Sequence, residues 1–154
     1  MLEGLTFRNM FQLGFIVRDV DRAAEHIGKR FGIKKYRMKT HTPEVRTAHA
    51  YVGDTMFELI QVSANGPAHF VEYLPDDPSA AVFHHHAFRI FDGEEWQRLN
   101  AAADSSGLPT IKMTGGNGNI HVLYVDTRRE LGFYCEYVHL TGEALTYYDD
   151  VPRN

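Results

Sequence analysis

The apolar residues change period along the first third of the chain. In "FQLGFIV" (residues 11–17) Leu13, Phe15 and Val17 share one face of an extended segment, and Gln12, Gly14 and Ile16 share the other. The next stretch, "RDVDRAAEHIGKRFGI", sets Val20, Ala23, Ala24, Ile27 and Phe31 at helical spacing. Asp19 and Asp21 are its N-cap candidates and Gly32 its end. After a loop containing Pro43 come "RTAHAYV" and "MFELIQV", two strand-like runs joined by the hairpin signal "GDT". The predicted order is βαβββ or close to it.

The second half repeats this order. "HHAFRI" (85–90) reads as a strand, and "FDGEEWQRLNAAADSSGL" as a helix with Trp96, Leu99 and Ala103 on one stripe and Gly107 near its end. "IHVLYV" (120–125) and "FYCEYV" (133–138) form another hairpin. Gln12 and His85 are 73 residues apart, and so are Tyr51-Val52 and Tyr124-Val125, which points to a duplicated unit. Glu58 and Glu136 differ by 78 because the second hairpin loop, "DTRREL", is longer. The expected fold is α+β, one domain over residues 1–154 built of two tandem βαβββ modules at about 8–63 and 80–140. Each module is too small to bury its own sheet, so the two should form one curved mixed sheet with outer helices.

The duplication selects among the three histidines of "FHHHAFRI" (83–90). His85 takes the place of Gln12 and His86 that of Leu13, so His84 and His86 are expected to pack or hydrogen-bond. Each module then offers one polar residue on its first strand and one carboxylate on its last: Gln12 with Glu58, His85 with Glu136. Glu58 shares a face with Met56 and Ile60, and Glu136 with Tyr134 and Val138. A carboxylate on an apolar face needs a partner. His49, His121 and His139 also lie on strands, where the pattern assigns them no role.

Composition narrows the classes. A formal charge of −4 over 154 residues argues against nucleic acid as a partner. A single cysteine, Cys135, allows no internal disulfide, fits a reducing compartment and reads as a small core residue. The start, "MLEGLTFRNMFQLGFIV", lacks the clean apolar run of a secretory leader, and no segment approaches the ~20 apolar residues of a membrane span. A soluble, cytoplasmic protein with no membrane partner is expected. Residues 29–39, "KRFGIKKYRMK", hold six basic side chains. They read as a solvated helix end, with an anchor for substrate phosphates as the functional alternative. "TGGNGN" (114–119) is a flexible loop, since no Lys-Ser/Thr follows as in a phosphate loop.

"FQLGFIV", "MFELIQV", "HHHAFRI" and "GFYCEYV" together resemble the vicinal oxygen chelate superfamily, the glyoxalase-like proteins, over nearly the whole chain. "FELIQVSANGPAHFVEYL" followed by "FHHHAFRI", with "TPEV" at 42–45, is most similar to its methylmalonyl-CoA epimerase branch. The resemblance implies a divalent metal (Ni, Co, Zn, Fe, Mn or Mg) held by Gln12, Glu58, His85 and Glu136. Such an oxygen-rich set suits an octahedral ion with open positions, whereas a structural zinc site is thiolate-rich. It further implies a lyase or isomerase acting by enolisation of a chelated carbonyl substrate, a CoA thioester for an epimerase. Glu136 would be ligand and base, Glu44 a second base where a stereocentre inverts, and the assembly a homodimer. The alternatives are an extradiol-type ring-cleaving dioxygenase, which would have histidine where this chain has Gln12, and a non-enzymatic small-molecule binding protein. Substrate choice is expected to lie in the loops at 37–46 and 108–119.

Overall fold

The structure, a computed structural model, describes residues 4–154; residues 1–3, the start of the segment read for a leader, lie outside it. The strands are β1 (Met10–Val17), β2 (Arg37–Thr42), β3 (Val45–Val52), β4 (Thr55–Val62), β5 (Ala81–Arg89), β6 (Thr110–Gly115), β7 (Ile120–Val125) and β8 (Tyr134–Leu140). The helices are α1 (Val20–Phe31), the single turn α2 (Ala68–Val71), α3 (Gly93–Ser105) and the single turn α4 (Arg128–Leu131). Among the described residues no helix is long and apolar enough to cross a membrane. The chain divides into two compact units: Gln12–His84 with the tail Asp150–Asn154, and His85–Asp149 with the segment ending at Phe11.

In the first unit the strands run β2-β3-β4-β1, with β1 parallel to β4 and the remaining pairs antiparallel. α1 packs Val20, Ala23 and Ala24 against Val17, Ala48 and Leu59. Asp19 caps α1 by accepting from the Arg22 N–H, and Gly32 ends it at φ 77°. The C-terminal tail is sewn onto β3: Tyr51 donates its N–H to the Pro152 carbonyl and accepts from the Asn154 N–H, and Arg153 lies 4.4 Å over the Tyr51 ring.

The second unit repeats the arrangement as β5-β8-β7-β6, with β5 parallel to β8. Asp92 caps α3 from the Glu95 N–H, 73 residues after Asp19, so the helices share the register of the duplication. Leu99 and Ala103 of α3 bury against Phe88, Leu123 and Tyr137. Each large apolar side chain buried here contributes roughly 1.5–3 kcal/mol before the entropy cost of ordering it.

Several sequence expectations change. The regions read as loops contain β2 and β6; both edge strands are polar and largely exposed ("RMKTHT", "TIKMTG"), so no alternation betrays them. Phe31 does not join the buried stripe of α1; it is 69% exposed, and Gly28 is buried instead. A Cβ on Gly28 would meet the Ile33 carbonyl oxygen at 2.5 Å, so the chain folding back under α1 needs glycine there. Strand pairing also revises the third-strand equivalence. His49 lies opposite Glu58 and Tyr124 opposite Glu136, an offset of 75 rather than 73. A shift of two residues preserves which face each side chain occupies, which is why the facing argument survives it.

Candidate metal centre

Each module sets its carboxylate beside a small residue of its first strand: Gly14 is the register partner of Glu58, and Ala87 that of Glu136. Neither neighbour has a side chain long enough to cover the carboxylate.

In the unit containing β5 and β8, His85 is fully buried and Glu136 nearly so. His85 Nε2 lies 2.8 Å from Glu136 Oε2, and the Tyr124 ring meets the imidazole edge-on at 5.4 Å. The distance alone would suggest a hydrogen bond, yet Oε2 has no hydrogen-bond partner. The two facts agree if the ring N–H direction passes beside the oxygen. Two donor atoms placed side by side rather than aimed at each other suit a shared third atom. Neighbouring ligands on one octahedral ion at about 2.1 Å sit about 3 Å apart. The donor set therefore fits a divalent ion.

In the other unit Glu58 Oε2 pairs with His49 Nε2 at 2.6 Å, with His49 1% exposed. Arg37 reaches His49 Nδ1 at 3.4 Å from the far side, and its guanidinium also pairs with Asp150 of the tail. Arginine only donates, so Nδ1 is the acceptor and the ring proton sits on Nε2, pointing at Glu58. The chain Asp150–Arg37–His49–Glu58 thus fixes both the tautomer and one oxygen of Glu58, as outer partners do around metal ligands. Gln12, 1% exposed, donates from Nε2 to Met56 Sδ at 3.3 Å. Glu58, His85 and Glu136 each offer one ligand atom of the type a divalent ion takes.

Glu44 is half-buried in the turn between β2 and β3, where its N–H donates to Thr42 Oγ1. Glu44 is five residues along the chain from His49, about 16 Å at strand rise from the partner of Glu58. The titratable group that does lie near is His41. It meets Thr47 Oγ1 at 2.8 Å, and burial pushes its imidazole below the ordinary value against the opposing pull of Glu58, with His49, Lys39 and Arg37 adding to the lowering.

The remaining histidines have structural settings. His84 is buried, with Nε2 3.0 Å from the His69 carbonyl and its ring against Phe70 and Tyr73. His86 meets the Phe133 ring edge-on, and burial, then the neighbouring His85, pushes its imidazole down. His139 stacks on Trp96 and pairs with the Ile90 carbonyl at 2.8 Å, with His121 beside it. Cys135 is buried with its thiol pushed up by burial, a packing residue as expected. The basic run of 29–39 is not one feature. Lys29 pairs with Glu25 on the surface, whereas Arg37 is buried in the relay. Sequence reading missed Arg37 and Asp150. Only β2, itself hidden in a polar edge, shows that Arg37 lies opposite His49.

No protein family's sequence model matches the chain, and no characterised protein matches it by sequence. Solved structures do. A Mycobacterium tuberculosis methylmalonyl-CoA epimerase has a TM-score of 0.67 at 15% identity, covering 93% of this chain and 95% of its own. A Streptomyces coelicolor methylmalonyl-CoA epimerase variant in complex with 2-nitronate-propionyl-CoA has a TM-score of 0.66 at 16% identity, covering 89% and 100%. A hypothetical protein from Bacillus halodurans has a TM-score of 0.59 at 19% identity, covering 88% and 96%. The chain has the glyoxalase-like, vicinal oxygen chelate fold. Its structural neighbours include enzymes that epimerise an acyl-CoA.

Proposed function

We propose that this chain is a metal-dependent isomerase that removes and returns a proton α to a chelated carbonyl, with an acyl-CoA thioester as the substrate class. The observation that carries it is the buried His85–Glu136 pair, set as two ligands rather than as a hydrogen bond. Together with Glu58 and Gln12 it supplies the imidazole, two carboxylates and amide oxygen that one octahedral divalent ion takes. The ion, when bound, supplies positive charge against the carbonyl oxygen on which negative charge develops.

Glu136 takes the proton. It does so with Oε2 swung off the ion, since no hydrogen bond holds that oxygen in place, and the buried surroundings keep water from competing for the proton. His49, held by Arg37, keeps Glu58 oriented, so the two carboxylates play different parts. The epimerase neighbours support the thioester as substrate, and the single cysteine fits a cytoplasmic setting. The family resemblance supports a homodimer; sedimentation at micromolar concentration is expected to give a dimer.

The experiment is exchange of the substrate α-proton with deuterated solvent, screened over branched acyl-CoA thioesters with purified protein of measured metal content. Glu136→Gln should lose exchange while keeping part of its metal. Glu44→Gln tests the two-base reading: unequal loss of exchange from the two enantiomers would give Glu44 the second proton. Equal, unchanged rates would leave Glu136 as the base and point to a one-base isomerase or lyase. Oxygen uptake on iron-loaded protein without exchange at carbon would replace the proposal with ring-cleaving dioxygenase chemistry.

A further inference from the structure

The two modules differ most on the sheet face away from the carboxylates. In the second unit that face is closed. Phe88 is 1% exposed beneath Phe7, 5.6 Å away, and α3 sets Leu99 and Ala103 on the sheet, at 3% and 0% exposure. The first unit carries the equivalent residues at the offset of 73 that the two N-caps share: Phe15 for Phe88, Ala80 for Phe7, His26 for Leu99 and Arg30 for Ala103. A ring has become a methyl group, and two buried apolar positions have become an exposed imidazole and an exposed guanidinium.

The result is a cleft of about 820 Å³ beside α1, within the size range of small-molecule sites. Its floor is the stacked pair Phe15 and Phe57, with ring centroids 6.0 Å apart and planes 4° from parallel. Phe31, the residue that left the buried stripe of α1, forms part of its wall. Phe15 and Phe57 point away from the face of Gln12 and Glu58, so the cleft is separate from the candidate metal centre.

We infer that this cleft binds a small organic anion with a flat aromatic body, the body lying on Phe15 and Phe57 and the anionic group on Arg30. The body follows from the duplicate, where a phenyl ring covers the equivalent of Phe15. The charge follows from the rim. Arg30 forms no ion pair among the described residues. The one carboxylate there, Asp77, is turned to the Ser79 N–H and hydroxyl at 2.8 Å each; those bonds, with His26 and Arg22 nearby, hold it below its ordinary value. A guanidinium beside an aromatic floor suits an anionic aryl ligand better than a neutral one.

The test titrates the full-length, metal-analysed protein with anilinonaphthalene sulfonate and, in parallel, with the uncharged phenylnaphthylamine, following probe fluorescence. Saturable one-to-one binding of the sulfonate is expected. Ala80→Phe, which restores the ring of the duplicate, should weaken both probes by about tenfold or more. Arg30→Gln, at an exposed position that does not threaten folding, should weaken the sulfonate by about fivefold to tenfold and leave the uncharged probe unchanged. Equal binding by Ala80→Phe, or equal effects of Arg30→Gln on both probes, would overturn the proposal. So would a wild-type protein that binds neither probe while Ala80→Phe converts a dimer to a monomer, which would make the cleft a surface between copies. Metal content and α-proton exchange are read on the same samples, so failure here is distinct from failure of the isomerase reading.

Discussion

Replacing Arg37 with methionine tests the relay behind Glu58. Methionine keeps much of the aliphatic stem and removes the guanidinium, so packing changes little and the lost charge dominates. Two contacts go. The pair with Asp150 involves a carboxylate 68% exposed, and such pairs contribute about 0–1 kcal/mol. The contact with His49 Nδ1 is different, because His49 is 1% exposed and its nitrogen would be left as a buried acceptor without this donor. That costs about 1–3 kcal/mol. A total near 2 kcal/mol corresponds to a fall in Tm of about 4–8 °C for a domain of this size. With the tautomer released, His49 no longer presents Nε2–H to Glu58, and metal affinity should fall about 10–100-fold, as for other partners that orient a ligand. Calorimetry of the metal-free protein and isothermal titration with a divalent ion measure the two effects, and the nitrogen chemical shifts of His49 report the tautomer. Arg37→Lys should recover part of the stability without the full affinity, because one ammonium does not reproduce the fork. A Tm within a degree of wild type together with unchanged metal affinity would show that the relay orients nothing.

The histidine triplet separates ligand from packing: His85→Ala should remove most of the metal from a protein that still folds. His84→Ala should instead lower stability by about 2–4 kcal/mol at unchanged metal content per folded molecule, since it loses a buried bond and three ring contacts. His41 gives the pH dependence. Its imidazole is lowered from 6.5 in the folded state, so below about pH 6.5 the unfolded chain binds more protons. Stability should therefore fall as the pH drops from 6.5 towards the folded value, and His41→Gln should flatten that part of a denaturation–pH profile; an unchanged slope would remove His41 from the account. Removing the tail after Asp149 should mimic Arg37→Met in metal affinity and add a larger stability loss, because Pro152 and Asn154 also bond the edge of β3.

The sequence by itself determined the elements whose periodicity is strong: β1, α1, β3, β4, α3, β7 and β8 each carry an apolar face that only one period satisfies. It also pointed to the duplication, from Gln12 and His85 and from Tyr51-Val52 and Tyr124-Val125 at one offset, and from that came the choice of His85 among three neighbours. Edge strands escape such reading. β2 and β6 bury little, so nothing in their composition distinguishes them from loops, and with β2 went Arg37. Facing survived a two-residue error in the third-strand offset because side chains alternate with a period of two. What only the tertiary structure decided are the contacts made across strands: His49 with Glu58, Arg37 with His49, and Asp150 arriving from the far end of the chain. Separation along the chain says nothing about such pairs, since strand register and the path of the tail set them. The same holds for the cleft beside α1. Ala80 lines that cleft, where its counterpart Phe7 packs on Phe88 in the other module.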